Sequence, residues 1–395
     1  MEAPTRSLEP RSYARGRLQL GIVGVGSMVL MAAAAALLGV PAVLFPEAGG
    51  TFGTDLAALL GWTSALFLVT LPVESLGGYF VPKAFRRAHP SLGSWILGWL
   101  RGAALLSLLM AACGAATLAA GRAAGPGAAL GVFGSLLVGL LVIQVAVAKL
   151  VGGMGPSRAP LGPLEAGLAD LGVRPPAIQV LEARDEGFTG GIAGLPGAER
   201  CVLPVAWVGG LEPRALALLV ARRARVVSGG LRAAGAVGAL AWTLGSFALA
   251  SQLPEAGLRS VAGLVTTSLW FTVLSFVGLL VLPTPSRAGT RAADARLVQD
   301  LSEEDRALFA QTLGVLDRLQ DDEPERAPSV ESVFHPIPSL TTRRAALAGD
   351  GGALAPWHLA RVTIYLSVAG MSPLHRLVHC NVGRPELWAF LPADG

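Results

Sequence analysis

The chain has 395 residues, of which 52% are hydrophobic and only 15% are charged, and its mean hydropathy is +0.57. These values exclude an ordinary soluble domain and predict a protein that crosses a membrane several times. The net charge is +4, but the arginines are spread along loops rather than interleaved with aromatic residues, so no nucleic-acid partner is expected. Its three cysteines are too scattered for a disulfide framework or a Cys-x-x-Cys metal site.

Six apolar runs are each long enough to cross a bilayer core of about 30 Å, and they predict six membrane-spanning helices. The runs are residues 18–44, 56–81, 95–120, 127–151, 231–253 and 258–282. The first run exceeds the core of a cleavable signal peptide, so we interpret it as an uncleaved helix. Its GIVGVG segment, Gly21–Gly26, has glycines spaced as in a dinucleotide-binding turn. No strand precedes it, and helix packing is the simpler interpretation.

Glu74 is an acidic residue inside the second run, where a charge is costly and usually faces protein or water. One interpretation is a proton or substrate site. The other is a position near the membrane edge, which the helix-breaking residues Pro72, Gly77 and Gly78 favour.

The charges next to the runs predict the orientation of the chain. Basic residues precede the first run and flank the second loop, whereas the first loop carries Glu47 and Asp55 without Lys or Arg. By the positive-inside rule, the N-terminus and both polar regions are expected in the cytoplasm. Only two of the 31 basic residues are lysines, an arginine bias typical of a GC-rich bacterial genome, so we expect a bacterial cytoplasmic membrane.

These features predict five parts of the chain. They are a cytoplasmic tail (1–17), a four-span membrane domain (18–151), the first part of a soluble domain (152–230), two further spans (231–282), and the second part of the soluble domain with a C-terminal tail (283–395).

The soluble parts predict a small α+β domain. Before the fifth span we expect a helix at 163–172, strands at 177–183 and 200–208 with a loop or edge between them, and a helix within 211–230. After the sixth span we expect an amphipathic helix from Ser286, a helix from Ser302 to Gln320 opened by a capping box, and a Pro-rich loop at 321–338. Residues 357–371 contain His358 and Arg361, so packing on the soluble domain is favoured over a seventh span.

Several segments occur in an order that is typical of one enzyme family. They are LPVESLGGYFVPKAFRR (71–87), EGFTGG (186–191), LEPRALALLVARR (211–223), TRAAD (290–294) and VFHPIPSLTTRRAAL (333–347). In this order they resemble the integral-membrane zinc metallopeptidases of the CAAX prenyl protease type, whose shorter bacterial relative is the membrane protease HtpX. The resemblance implies an α-helical membrane protein of about six spans with a cytoplasmic gluzincin-like α+β domain.

The resemblance also shows which residues stand at the zinc site of the family. Its first zinc His falls on Arg222, its general-base Glu on Arg223 and its second His on Val226. The third ligand, a Glu, falls on Thr290, and only the carboxylate that orients the first His is retained, as Asp294. Guanidinium, isopropyl and hydroxyl groups cannot replace these ligands or activate a water. We therefore predict a divergent pseudoprotease without a zinc cofactor.

Two interpretations of the arginines remain open. They form a solvated cationic face near anionic lipids, or Arg222 fills the vacated metal site and pairs with Asp294.

The resemblance implies a substrate groove along an edge strand, because in the family an extended substrate adds a strand there. Phe188, Thr189 and Gly190 are the candidate groove residues, and unfolded or membrane-protein segments are the expected partners besides the lipid bilayer. The alternatives are an active peptidase with replacement metal ligands and a transporter or scaffold that kept the fold.

A second metal site is conceivable in the tail, where His375 and His379 have i, i+4 spacing on a predicted helix beside Cys380. The residue after the first His is Arg376 rather than Glu, so the general base is missing. We favour the interpretation as surface or interface histidines.

Overall fold

The computed structural model describes residues 12–46, 50–320, 322–347 and 355–390. Most of the predicted N-terminal tail, Glu47 of the first loop, Asp321, residues 348–354 and the last five residues lie outside these ranges.

Six long apolar helices form the membrane part, and the predicted six spans are confirmed. The N-terminal helices are α1 (Tyr13–Leu37), α2 (Val40–Leu44), α3 (Phe52–Ser75), α4 (Val81–Ala84), α5 (Leu92–Ala124) and α6 (Pro126–Gly152). A π-helical turn (Leu76–Phe80) joins α3 to α4. Hydroxyl caps fix several starts, because the side chains of Ser12, Thr51 and Ser91 each accept a bond from a backbone N–H three residues on. Helix α1 begins earlier than predicted, so Arg17 belongs to the helix rather than to the tail.

The soluble domain begins after α6 with a four-stranded sheet. Its elements are β1 (Gly155–Pro156), α7 (Gly162–Asp170), β2 (Ala177–Glu182), β3 (Gly191–Ala193), β4 (Arg200–Pro204), α8 (Val205–Gly210) and α9 (Pro213–Ser228). The strand order is β1-β2-β4-β3, with β2 parallel and β3 antiparallel to β4, so β3 is an edge strand. The predicted strand 200–208 is wrong beyond Pro204, because the chain turns there into α8.

The rest of the chain contains the last two spans and a second set of short helices. They are α10 (Leu231–Ala250), α11 (Val261–Val281), α12 (Pro283–Val298), α13 (Glu303–Gln320), α14 (Pro328–Phe334) and α15 (Leu340–Ala346). The Ser302 hydroxyl accepts a bond from the Asp305 N–H at 3.1 Å, as the capping pattern predicts. The predicted loop 321–338 is wrong in part, since α14 lies within it. Apolar side chains of α9, α12 and α13 share one core with α7 and β4.

The C-terminal segment lies inside the membrane helices. It contains α16 (Leu359–Leu366), a 3₁₀ turn (Ser367–Gly370), α17 (Leu374–Leu377) and a second 3₁₀ turn (Pro385–Leu387). Its apolar residues belong to the core of the spans, and some of its polar groups bond to the spans. The Tyr365 hydroxyl donates to the Leu140 carbonyl at 3.0 Å, and the Gln144 amide donates to the Ala389 carbonyl at 2.9 Å. The expected packing of this segment on the soluble domain is therefore wrong for most of its length.

Two glycines show how closely the C-terminal segment approaches the spans. A Cβ at Gly78, in the π-helical turn, would collide with the Gly383 carbonyl, and a Cβ at Gly235 of α10 would collide with the Trp357 carbonyl. Only a residue without a side chain fits at these points. The segment is thus an integral part of the folded membrane domain.

Glu74 lies among these contacts and is fully buried inside the protein. Its carboxylate accepts a bond from Arg376 of the C-terminal segment at 2.6 Å, from Thr70 at 3.0 Å and from the Trp99 indole. Both charged side chains are fully buried, and the Arg376 guanidinium lies 3.3 Å above the Phe67 ring. Because the charge is compensated inside the protein, Glu74 joins the tail to the second span.

Candidate functional site

The four positions that the sequence resemblance predicts for a catalytic zinc site lie on α9 and α12, which pack against each other. Helix α9 starts with Pro213 at its first turn and buries nearly all of its length, including Arg222, Arg223 and Val226. Helix α12 brings Thr290 and Asp294 to the same place.

Asp294 is the centre of the site and holds two guanidinium groups. The Nε of Arg222 donates to one carboxylate oxygen at 2.5 Å. Arg343 of α15 donates to both oxygens, at 2.8 and 3.0 Å. The side chains of the three residues are at most 2% exposed. The predicted pairing of Arg222 with Asp294 is confirmed, and Arg343 completes a cluster that we call the arginine clamp (Arg222, Asp294, Arg343).

The charge of Asp294 is stabilised by its partners. Burial alone would raise the pKa of the carboxyl, but Arg222 and Arg343 together hold the pKa below its ordinary value. The group is therefore a carboxylate at neutral pH, with both oxygens already accepting bonds from guanidiniums. The alternative of a solvated cationic face is wrong for Arg222 and Arg223, and it describes only Arg225, which is 38% exposed and pairs with Asp300.

Arg223 points away from the clamp and joins the helix to the sheet. It donates to the Val202 carbonyl at 2.7 Å and to the Thr189 carbonyl at 2.5 Å. Its guanidinium also lies 5.4 Å from the centre of the Trp207 ring. The sequence resemblance predicts a general base at this position, whereas Arg223 supplies donors to backbone oxygens.

The two remaining positions offer nothing to a metal ion. Val226 packs in an apolar cluster with Ile192, Leu231 and Trp357. The Thr290 hydroxyl donates to the Ser286 carbonyl at 3.2 Å. Within the described ranges, no group of three or more His, Cys, Asp or Glu side chains is placed to hold a metal ion. These residues do not fit zinc.

The predicted groove residues adjoin the site but are buried. Phe188 is 1% exposed and packs edge-to-face on Phe390 of the C-terminal segment, with ring centres 6.1 Å apart. Thr189 and Gly190 are also buried, and the carbonyl of Thr189 accepts from Arg223. The β3 edge is thus covered in this conformation.

The loop before the groove is held by the same C-terminal segment. Arg384 forms an ion pair with Asp185, and the Glu386 carboxylate accepts bonds from the backbone N–H groups of Arg184 and Asp185 at 2.8 and 2.9 Å. Burial raises the pKa of the Asp185 carboxyl. The charge of Arg384 and its hydrogen bond lower this pKa by more, so the net shift is downward. The pair therefore remains charged at neutral pH and fixes this loop.

The candidate tail site loses its geometry in the structure. Helix α17 ends at Leu377, so His375 and His379 do not share a helix, and that prediction is wrong. His375 is fully buried and its Nδ1 lies 3.4 Å from the Ser372 carbonyl. The His379 ring packs on His335, with ring centres 4.7 Å apart.

The fold and site define a membrane protein with six apolar helices, a soluble α+β domain and a buried arginine clamp between α9, α12 and α15. No family model and no curated protein sequence matches the chain. Among solved structures, the fold is similar to the crystal structure of Ste24p from S. mikatae, with a TM-score of 0.62 and 17% identity. The match covers 75% of this chain and 76% of that chain, and it shows the fold alone.

The first prediction concerns the stability of the arginine clamp. Asp294→Ala leaves two buried guanidiniums without their carboxylate, so we expect the free energy of unfolding to fall by about 3–5 kcal/mol. Arg222→Ala should cost less, because Arg343 still holds Asp294. Asp300→Ala, which breaks an exposed pair with Arg225, is the matched control and should cost less than about 1 kcal/mol. Denaturant unfolding in detergent micelles measures these differences.

Two further outcomes decide whether the contact is the cause. The double variant Arg222→Ala, Asp294→Ala should lose less than the sum of the single losses, and strict additivity would contradict the clamp. Because the folded pKa of Asp294 lies below the unfolded one, its contribution is present above about pH 4 and is lost as the pH falls further. The difference between the parent and Asp294→Asn should therefore shrink in acid.

Proposed function

We propose that the chain is a proteolytically inactive homologue of an integral-membrane zinc metalloendopeptidase. The observation that carries this proposal is the arginine clamp. Hydrolysis by this class of enzyme needs a metal-bound water and a general base. Here the one carboxylate at the site is occupied by two guanidiniums, and the base position holds Arg223 bonded to backbone oxygens.

The second prediction is that the purified protein contains no stoichiometric zinc and does not degrade casein. Metal analysis of protein prepared without chelators, together with a casein assay, measures both. Zinc near one ion per chain that disappears in Arg222→Ala or Thr290→Ala would contradict the proposal and favour a peptidase with replacement ligands. Zinc that is lost only in His375→Ala would identify the tail site instead.

A repaired variant is the positive control for this experiment. Arg222→His, Arg223→Glu, Val226→His and Thr290→Glu restore the family's ligands and base, but Arg343 would still occupy Asp294. We therefore expect zinc uptake to improve when Arg343→Gln is added, because Asp294 can then accept a bond from the imidazole at position 222. The loss of Arg223 leaves two buried carbonyls without this donor, at about 1–3 kcal/mol each. We therefore expect zinc uptake to return before turnover does.

We further propose that the protein binds extended segments of unfolded or membrane proteins at β3 without cutting them. The position of β3 at the edge of the sheet supports this, since strand addition needs no metal. Binding requires Phe390 to leave Phe188.

A scaffold without a groove is the second candidate, and it is favoured by the burial of Phe188 and by the tail that fills the spans. A transporter is disfavoured, because Glu74 is neutralised by Arg376.

The third prediction separates binding from a pure scaffold. Removing the ring that covers Phe188, by Phe390→Ala, should increase the capture of carboxymethylated casein by the immobilised protein. Phe271→Ala, which removes another buried ring in the spans, is the control for general loosening and should leave capture unchanged. If Phe390→Ala captures no more casein than Phe271→Ala, the scaffold replaces the binding function.

The fourth prediction concerns orientation, which we propose to be cytoplasmic for the N-terminus and the soluble domain in a bacterial inner membrane. Six alternating spans put both soluble parts on the side of the N-terminus, and the basic residues near that side favour the cytoplasm. An alkaline phosphatase fused after Gly210 should be inactive in a bacterial host, whereas a fusion after Gly125, between α5 and α6, should be active. The reverse pattern would invert the topology.

A further inference from the structure

Arg232 is a buried arginine at the start of the fifth span, close to the edge strand β3. It is the second residue of α10 and is only 1% exposed. Its neighbour Leu231 packs in one apolar cluster with Ile192 of β3. The Nη2 of Arg232 donates to the carbonyl of Gly194, the residue that follows β3, at 3.4 Å. The guanidinium therefore lies at the end of the strand edge that we propose to bind extended chains.

The charge of Arg232 is not compensated by the part of the chain that the structure describes. Among these residues, no carboxylate lies within ion-pair distance of the guanidinium, and its buried Nε has no hydrogen-bond acceptor. Glu199, the acidic residue of the β3–β4 hairpin, instead accepts a bond from the Gly197 N–H at 2.8 Å. A buried cation with one long bond to a neutral oxygen is thus left beside β3.

Other arginines that are buried to the same degree are better satisfied. Arg376 bonds to the carboxylate of Glu74 at 2.6 Å. Arg17 has no carboxylate partner among the described residues, but it donates to three backbone carbonyls at 2.8, 3.0 and 3.4 Å. A buried charge at the end of a membrane helix is costly without such partners, and an ionisable residue at such a position indicates a functional group.

An acidic side chain on a bound segment would supply the partner that Arg232 lacks. A segment added to the outer edge of β3 pairs with residues 191–193, and its next residues pass Gly194, beside the guanidinium. A carboxylate at that point neutralises the charge and accepts a charge-assisted bond from the buried Nε. Segments of unfolded or membrane proteins are internal stretches of longer chains, so Asp and Glu side chains provide their carboxylates.

We propose that the edge of β3 prefers extended segments with an acidic side chain just outside the paired residues, and that Arg232 binds this carboxylate. The inference rests on the binding function proposed above and specifies which segments are bound. Because the C-terminal segment covers β3 in this conformation, the carboxylate reaches Arg232 only after Phe390 has left Phe188.

The experiment measures peptide binding by the full chain with the substitution Phe390→Ala, which uncovers β3. The probes are fluorescent peptides with blocked ends, in which a valine–threonine stretch is flanked at both ends by Glu or by Gln. Fluorescence anisotropy in detergent micelles should show the Glu peptide binding about tenfold more tightly, and Arg232→Gln should remove this difference. Arg200→Gln is the matched control, because Arg200 is exposed and pairs with Ala193 in the same hairpin. The tenfold difference should remain in it.

Thermal unfolding without peptide distinguishes a binding residue from one that stabilises the fold. Arg232→Gln removes a buried charge that has no counter-charge, so we expect an unfolding temperature equal to or above that of the parent. Arg17→Gln removes an equally buried arginine with three carbonyl partners and should lower this temperature. A fall for Arg232→Gln as large as that for Arg17→Gln would contradict the binding role.

The outcomes separate this inference from the binding function on which it rests. If the Glu and Gln peptides bind equally well, the acidic preference is overturned while strand binding at β3 stands. If Arg200→Gln also removes the difference, general charge attraction replaces Arg232 as its cause. A peptide with a free C-terminal carboxylate and no Glu that binds as tightly as the Glu peptide would overturn the choice of a side chain. If neither peptide binds, the binding function fails and this inference fails with it.

Discussion

The soluble domain depends on one buried carboxylate that is shared by two guanidiniums. Asp294 lies where α9, α12 and α15 meet, and each helix contributes one member of the arginine clamp. An uncompensated charge at this depth would cost several kcal/mol, so none of the three residues can be lost alone without a penalty. The cluster therefore joins α9, α12 and α15 through charge-assisted hydrogen bonds to one carboxylate.

The second constraint is the C-terminal segment, which passes through the interior of the spans. It bonds to α3 through the Arg376–Glu74 pair and to α6 through Tyr365, and its last aromatic ring covers Phe188. The membrane domain and the candidate groove are thus coupled through one stretch of chain. A filled interior agrees better with a binding or scaffolding protein than with a transport pathway.

The sequence predicted the parts of the structure that follow from periodicity and residue chemistry. The apolar runs predicted the six spans. The contact of Arg222 with Asp294 was predicted from their opposite charges and from the places of these residues in the ordered family-like segments. The path of the tail could not be predicted, because residues 357–371 have the composition of a buried helix in either location. Glycines on the spans, such as Gly78 and Gly235, were the sequence feature that marks this path. Their role is visible only in the structure, where the backbone of Gly383 and Trp357 leaves no room for a side chain at these positions. The contact of Arg343 with Asp294 was missed because Arg343 and Arg344 are adjacent and equivalent in sequence. Only the orientation of α15 directs Arg343 to Asp294 and Arg344 to the Ala310 carbonyl.

A high-resolution experimental map around Arg222, Thr290 and Asp294 tests the central claim most directly. The account predicts continuous density for the Arg222 guanidinium within hydrogen-bonding distance of Asp294, with Arg343 on the other side and the Thr290 hydroxyl on its own helix. A metal peak bonded to Asp294, with Arg222 turned away from it, would contradict the account.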